Sequence, residues 1–256
     1  MRHAFTVLIA VCLCSVFSYS QTADDRTADE LIAKNIQARG GMDKLMAIKS
    51  LRLTGRYEGS GGFTGAIGQE NERPNLIRET FTLQGMTIVQ AYDGATGWQI
   101  QPFGGKKDPE LMGEDDVRDL LLDADFDGPL VNYKEKGSTV EFLGHDVVDG
   151  DDALRLKVTL KNGDIVYEYL DPDTFMEIRR GIQQFIRGSV RERVMGYGSY
   201  KPVAGVMFPF SISQGTKDHP EDSTTTVQKL EVNVAPDRVD FALPASLKPG
   251  AAPEKK

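Results

Sequence analysis

The hydrophobic period of this chain changes near Ser50, and that change limits the possible folds more than any other feature. Before it, apolar residues recur at helical spacing behind a capping box formed by Thr27 and Glu30, and Gly40-Gly41 ends the helix. After it, apolar and polar residues alternate, as they do from Leu51 to Tyr57. The pattern therefore predicts an opening helical segment followed by β-strands.

Short strand-like segments separated by turn residues fill most of the chain after residue 50. Turn residues such as Asn162-Gly163 and Asp171-Pro172-Asp173 predict hairpins between neighbouring segments. A helical insertion over 114–122 separates about five strands from about seven that follow. Because helices do not alternate with the strands, we expect an antiparallel sheet. About a dozen strands in one meander curl or close, and covering one face leaves room for a ligand pocket.

The first twenty residues are typical of a secretory signal peptide. A positive start precedes an apolar run from 4 to 17, and Ser18-Tyr19-Ser20 offers a cleavage site before Gln21. That run is too short for a transmembrane helix, and no later stretch is longer. We predict an exported chain without a membrane span, with one domain over 21–244 and a disordered tail over 245–256. The alternative is an N-terminal anchor left uncleaved.

Cleavage would remove most of the residues that catalytic sites are built from. Cys12 and Cys14, the only cysteines, lie in the signal peptide, and neither follows the small residue that lipoprotein acylation needs. His145 and His219 alone remain for a catalytic triad or a zinc site. The formal charge, −8 for the whole chain, becomes −9 without Arg2 and argues against nucleic-acid binding. We predict no catalytic residues, no cofactor and no metal.

One acidic motif imitates a calcium site. The run Asp123-x-Asp125-x-Asp127-Gly128 matches the first half of an EF-hand loop. Lys134 stands where that loop needs a bidentate glutamate, which would weaken calcium binding strongly. We interpret the motif as an acidic loop between two helical segments.

Several segments, in order along the chain, resemble one family. They are Ala28–Lys34 with Arg39-Gly40-Gly41 and Ile48–Leu51, Val89–Gly94 with Gly97-Trp98, Phe126–Val131 with Tyr133-Lys134, and Leu156–Leu160. Together they resemble the outer-membrane lipoprotein-sorting protein family of the LolA/LolB-like fold, over about residues 28–234. The resemblance implies a mainly β, α+β fold: a strongly curved antiparallel half-barrel of about 10–12 strands whose concave face is covered by a few helices. It also implies a periplasmic location and an apolar cavity for acyl chains.

The predicted function is a periplasmic carrier for lipid or lipoprotein acyl chains that is not an enzyme. Membrane-bound donor and acceptor proteins would be its partners. Strand parity predicts that the cavity is lined by Leu53, Phe81, Leu83, Trp98, Phe103, Phe142, Leu156 and Val158, with Leu121 and Tyr133 from the covering segments. One alternative is a non-catalytic periplasmic sensor or scaffold that binds a protein partner through the half-barrel. Another is a hydrolase using a carboxylate pair such as Glu141 with Glu168.

Overall fold

The structure, a computed structural model, describes residues 26–186, 188–234 and 241–248. The predicted signal peptide and its cleavage site lie outside these residues, as does the end of the predicted tail from residue 249. Three α-helices are described, α1 (Ala28–Ala38), α2 (Met42–Ala47) and α3 (Glu114–Ala124). Among the described residues, no helix is long and apolar enough to cross a membrane.

The strands account for most of the described chain. They are β1 (Ser50–Gly59), β2 (Thr64–Glu72), β3 (Leu76–Leu83), β4 (Met86–Tyr92), β5 (Gly97–Gln101), β6 (Lys106–Leu111), β7 (Thr139–Val148), β8 (Asp151–Thr159), β9 (Ile165–Leu170), β10 (Glu177–Ile186), β11 (Ser189–Gly198), β12 (Lys201–Val203), β13 (Val206–Phe208), β14 (Ser211–Gly215) and β15 (Ser223–Val232). Short 3-10 turns occupy Pro102–Gly104 and Ala245–Leu247.

Thirteen of these strands form one antiparallel sheet, in the order β6-β5-β4-β3-β2-β1-β15-β14-β11-β10-β9-β8-β7. Because β6 and β7 are its two edges, the curved sheet is not closed and forms a half-barrel. β12 and β13 form a separate hairpin. The predicted fold class is confirmed, with one strand more than the upper end of the predicted range.

The concave face of the sheet carries the core. Under α1, Leu31 and Ile32 pack against Leu154, Leu156 and other inward residues of β8 to β10. Under α2 and the β12–β13 hairpin, a second cluster gathers inward residues of β1 and β15. A smaller third cluster joins α3 to β3 through Leu120, Ala124 and Ile77. Burial is therefore densest under α1 and α2 and thinner under α3.

Sequence features at the helix ends act as predicted. Thr27 accepts a hydrogen bond from the Glu30 backbone, and the Glu30 side chain accepts one from the Thr27 backbone, which completes the capping box. Gly40 and Gly41 both have positive φ. A Cβ at Gly40 would lie 2.3 Å from the Gly205 carbonyl oxygen, so the close approach of the β12–β13 turn requires glycine there.

The segment before the described C-terminus packs on the convex face. Leu243 and Leu247 contact the cluster of Val89, Ala91 and Trp98, and the Trp98 indole N–H donates to the Phe241 carbonyl at 3.1 Å. The 3-10 turn over Ala245–Leu247 therefore differs from the disorder predicted after Pro244. Burial of Leu247 against the sheet explains this difference.

Candidate ligand-binding groove

α3 lies between two cavities on the concave face, and its two sides present different side chains to them. Asp116, Asp119 and Asp123 lie on one side at helical spacing, and Arg118 and Leu122 lie on the other. The first side faces the strands near β3 and the tip of β11, and the second faces the β8–β9 connection, β9 and β10. One helix thus forms a wall of both cavities.

We call the first cavity the groove. It has a volume of about 490 Å³. Its apolar wall comes from inward side chains of six strands: Leu53, Tyr57, Ile67, Phe81, Ile88, Met195 and Ile212. Tyr57 packs edge-to-face on Phe81 with ring centroids 5.2 Å apart, and Phe63 lies 5.7 Å from Tyr57. These aromatic residues form the apolar opening of the groove, its mouth, at the end of the sheet where the β1–β2 and β3–β4 hairpins turn.

The deeper part of the groove is polar. Gln69, Glu79 and Gln90 stand directly opposite one another on β2, β3 and β4. Loss of solvation, together with the nearby Asp123 carboxylate, raises the pKa of Glu79 to about 8, while the Arg193 guanidinium opposes the rise. Glu79 is therefore largely protonated at neutral pH and can donate as well as accept a hydrogen bond.

Ion pairs hold α3 across the groove. Arg191 lies 2.9 Å from Asp119, and Arg193 lies 3.4 Å from Asp123. On the other side of the helix, Arg118 pairs with the buried Asp164. Because α3 has a small apolar cluster beneath it, these contacts supply much of its attachment.

We call the second cavity the apolar pocket. It has a volume of about 650 Å³. Its walls are mainly aliphatic and come from α3, the segment after it, the β8–β9 connection and two strands: Leu121, Leu122, Pro129, Leu160, Val166 and Ile182. Arg118, Lys136, Lys161 and Arg180 add cationic groups to its lining. A cavity of this kind suits an apolar ligand with an anionic or polar end.

Between these cavities lies a smaller one of about 160 Å³ with a charged lining. Arg180 donates to Glu168 at 2.5 Å, and the Glu168 side chain is fully buried. Arg39 pairs with Glu177 at 3.3 Å, and both side chains are nine-tenths buried. Burial raises the pKa of Glu168 to about 7, against the attraction of Arg180. This buried network fixes β9 and β10 beneath the C-terminal end of α1.

The carboxylates of the acidic motif at the end of α3 form ion pairs with arginine and lysine side chains of the protein itself. Asp123 pairs with Arg193. Asp127 pairs with Arg73, which donates a hydrogen bond of 2.8 Å to the Asp127 carboxylate. Lys136 reaches Asp125 at 2.6 Å and the Gly128 carbonyl at 2.9 Å. Within the described residues, histidine, cysteine and acidic side chains do not form a group of three or more suited to a metal ion. The motif therefore ties the turn after α3 to the sheet.

The two carboxylates of the hydrolase alternative, Glu141 and Glu168, do not face each other. Glu141 stands opposite Lys157, and Glu168 stands opposite Leu156, so the two glutamates point to opposite faces of the sheet. Glu141 is exposed, whereas Glu168 is buried against Arg180. This pair cannot flank one bond of a substrate.

Comparison with known proteins identifies the fold. No protein-family model matches the sequence, and no curated protein matches it. A LolA superfamily protein of Nitrosomonas europaea is similar in structure, with 13% identity, a TM-score of 0.57, and coverage of 85% of this chain and 98% of that one. The chain has the LolA-like fold.

Two further solved structures support this assignment. A putative outer membrane lipoprotein-sorting protein domain of Vibrio parahaemolyticus has 12% identity and a TM-score of 0.51, covering 82% of this chain and 94% of that one. A DUF1329 family protein of Desulfovibrio piger has 11% identity and a TM-score of 0.53, covering 84% and 96%. At these identities the likeness establishes the fold alone.

Three of the ten predicted lining residues reach a cavity of this LolA-like sheet. Leu53 and Phe81 line the groove, and Leu121 lines the apolar pocket. Leu83 is on the same face of β3 as Phe81, two residues nearer the turn, and lines none of the three cavities described above.

The other predicted residues lie elsewhere. Four of them are part of the core under α1: Tyr133, Phe142, Leu156 and Val158. Phe103 is 44% exposed in the β5–β6 connection. Trp98 stands opposite Ala91 on the convex face, beneath the C-terminal segment, because the register of β5 turns it away from the groove.

Sequence reasoning missed the charged part of the groove, namely Glu79, Asp123 and Arg193. One signal was available in the sequence, because Glu79 lies between Ile77 and Phe81 on the same, otherwise apolar face of its strand. A carboxylate on a face that is otherwise apolar indicates a buried polar group or a binding site. Its partners Asp123 and Arg193 belong to α3 and β11, which are distant along the chain, so no spacing in the sequence joins them to Glu79.

Proposed function

We propose that this chain is a carrier that binds acyl chains of lipids or lipoproteins on the concave face of its sheet, without catalysis. The groove and the apolar pocket, on the two sides of α3, carry the proposal because together they offer apolar walls beside polar ends. The two similar structures described as a LolA superfamily protein and as a lipoprotein-sorting protein domain support the same class of cargo.

The energetics of such binding favour long apolar cargo. Each methylene group removed from water contributes about 0.8 kcal/mol. We keep Leu53, Phe81 and Leu121 as predicted acyl contacts and add Ile88 and Ile212 of the groove. The polar end of the cargo would then meet the carboxamides and charged groups deeper in the groove.

Loading requires α3 to move. The helix covers both cavities, and the ion pairs of Arg191 and Arg193 join it to β11. Exposed salt bridges contribute little individually, so the pair of Arg191, whose side chain is 58% exposed, can break and reform without a large barrier. The Arg193 pair is mostly buried and is the stronger hold on the helix. We infer that α3 is the lid, and that cargo enters at the aromatic mouth near Tyr57.

The proposed location is the periplasm. It depends on the signal peptide predicted over residues 1–20. A periplasmic carrier of this type would receive cargo from a membrane-bound donor protein and deliver it to a membrane-bound acceptor protein.

Native mass spectrometry of the mature chain, followed by lipid extraction, tests the proposal. We expect bound lipid, and saturable binding of a fluorescent fatty-acyl probe. Phe81→Gln should weaken probe binding at least tenfold because it introduces an amide into the groove wall. Phe185→Gln is the matched control, since Phe185 is 67% exposed at a hairpin tip.

Two outcomes would contradict the carrier function. One is equal probe affinity for Phe81→Gln and the unchanged chain. The other is an empty protein that binds no acyl probe. If that empty protein captured one stoichiometric protein through an edge strand, the alternative of a non-catalytic sensor or scaffold would replace the carrier.

A further inference from the structure

A fourth cavity lies on the convex face, away from the groove and α3. We call it the tyrosine trough, and its volume is about 420 Å³. It crosses β8 to β11, and the β14–β15 connection forms one wall. The side chains that define it are Arg155, Tyr167, Arg179, Gln183, Glu192 and Lys217.

These side chains share one face because of the strand register. Arg155 stands opposite Tyr169, Tyr169 opposite Arg179, and Tyr167 opposite Gly181. The intervening residues of the same strands, such as Val166 and Leu170, belong to the core on the concave face. The trough and the groove are therefore separated by the thickness of the sheet.

Tyr167 is an aromatic platform with one side covered. The Arg155 guanidinium lies over its ring, 4.4 Å from the centroid. Towards β10 its neighbour is Gly181, which has no side chain, and the atoms nearest to a Cβ placed there belong to Tyr167, at 3.8 and 3.9 Å. No side chain of residue 181 therefore covers the ring on that side.

Gly181 is not required by the backbone. Its φ is not in the positive range, and a Cβ would meet ordinary contact distances only. Glycine inside a strand weakens the strand and often marks the place where a ligand approaches closely. The gap beside Tyr167 is consistent with such an approach.

The wall above the trough is fixed in place. A Cβ at Gly215 would lie 1.9 Å from the His219 carbonyl oxygen, so the β14–β15 connection folds closely over the end of β14. Thr216 and His219 also exchange two backbone hydrogen bonds, at 3.0 and 3.2 Å. The turn that carries Lys217 therefore has a defined position.

The charges of the trough are nearly balanced. Arg155 pairs with Asp146 at 3.1 Å, and Arg179 pairs with Asp149 at 2.8 Å. Gln183 donates to Glu192 at 2.6 Å. An anion would meet the carboxylates of Asp146 and Glu192, so the trough does not suit phosphate or a carboxylate ligand.

What the trough offers is an aromatic face surrounded by donors and acceptors in similar number. A saccharide matches this set, because its ring presents C–H groups to an aromatic face and hydroxyl groups that both donate and accept. We propose that the tyrosine trough binds a neutral saccharide, with one sugar ring stacked on Tyr167 in the gap beside Gly181.

The test uses the chain in saturation-transfer difference NMR and amide-shift titrations with cellotetraose and chitotetraose, with inorganic phosphate as the anion. We expect saturable binding of at least one tetrasaccharide, with shifts in β8 to β11. Gly181→Val should weaken that binding at least tenfold because its side chain fills the gap. It should also unfold at or above the temperature of the unchanged chain, since valine favours strands.

Gly198→Val is the matched control. Gly198 lies on β11, on the same convex face, with nothing within 4 Å of a Cβ, and it is outside the trough. We expect it to bind the tetrasaccharide like the unchanged chain. The proposal is overturned if Gly181→Val binds equally well, if neither tetrasaccharide saturates, or if phosphate produces the same shifts.

Discussion

At the scale of single residues, two glutamates on the concave face differ in how their charge is compensated. Glu168 is fully buried and receives a hydrogen bond from Arg180 at 2.5 Å. Glu79 is half-buried, and its charge is opposed by Asp123 and only partly offset by Arg193. Glu168 is therefore a structural group, whereas Glu79 is available to a ligand.

Glu79→Gln should remove a pH-dependent loss of stability. The pKa of Glu79 is about 8 in the folded chain and about 4.3 when unfolded. Between these values the unfolded state binds fewer protons, so the free energy of unfolding falls as the pH rises. Because glutamine resembles the protonated acid, the variant should gain several kcal/mol in the free energy of unfolding at pH 8 and very little at pH 4. Urea unfolding at both pH values measures this difference.

An equal gain at both pH values would show that the charge of Glu79 is not the cause. Glu58→Gln provides a matched control, since its side chain is 56% exposed. We expect that control to change the free energy of unfolding little at either pH.

At the scale of secondary-structure elements, the strength of the local pattern decided what could be predicted. α1 has a capping box and a helical apolar period, and the helical insertion predicted over 114–122 became α3. β6 was missed because its sequence, Lys106 to Leu111, does not alternate and contains Pro109. An edge strand tolerates such a sequence because one side of it needs no partner.

The attachment of α3 predicts how the lid opens. Its N-terminus at Gly113 has no side-chain cap, and the apolar cluster beneath it is small. Arg193→Met should therefore increase local opening, since it removes the ion pair with Asp123. A loss of about 1 kcal/mol would make hydrogen exchange of the α3 amides roughly fivefold faster.

Exchange in β8 is the internal control of that measurement. The inward side chains Leu154, Leu156 and Val158 are completely buried beneath α1, far from the ion pair. Unchanged exchange in both α3 and β8 would mean that the ion pair does not hold the lid. Equal acceleration in both would indicate global destabilisation instead.

At the scale of the whole molecule, the strand pattern predicted a curled antiparallel sheet, and the family resemblance implied a half-barrel. Neither predicted which side chains would line the cavities and which would lie on the convex face. Alternation specifies that a strand has two faces, and it does not specify which face the helices cover. Trp98 shows the consequence, because its strand presents it to the convex face, where Leu243 and Leu247 cover it. The covering residues stand in a segment whose Ala, Pro and Lys content resembles disorder.

The position of Trp98 makes it a reporter of the C-terminal segment rather than of the groove. It is the only tryptophan of the chain, and it is 6% exposed. Replacing Leu243 and Leu247 with alanine should admit water to the indole and shift its emission to longer wavelength. Binding of a non-fluorescent fatty acid in the groove should leave that emission unchanged, because the sheet separates the two sites. A shift on fatty-acid binding that the double alanine variant abolishes would instead place the cargo beneath the C-terminal segment, and the site would have to be assigned to the convex face.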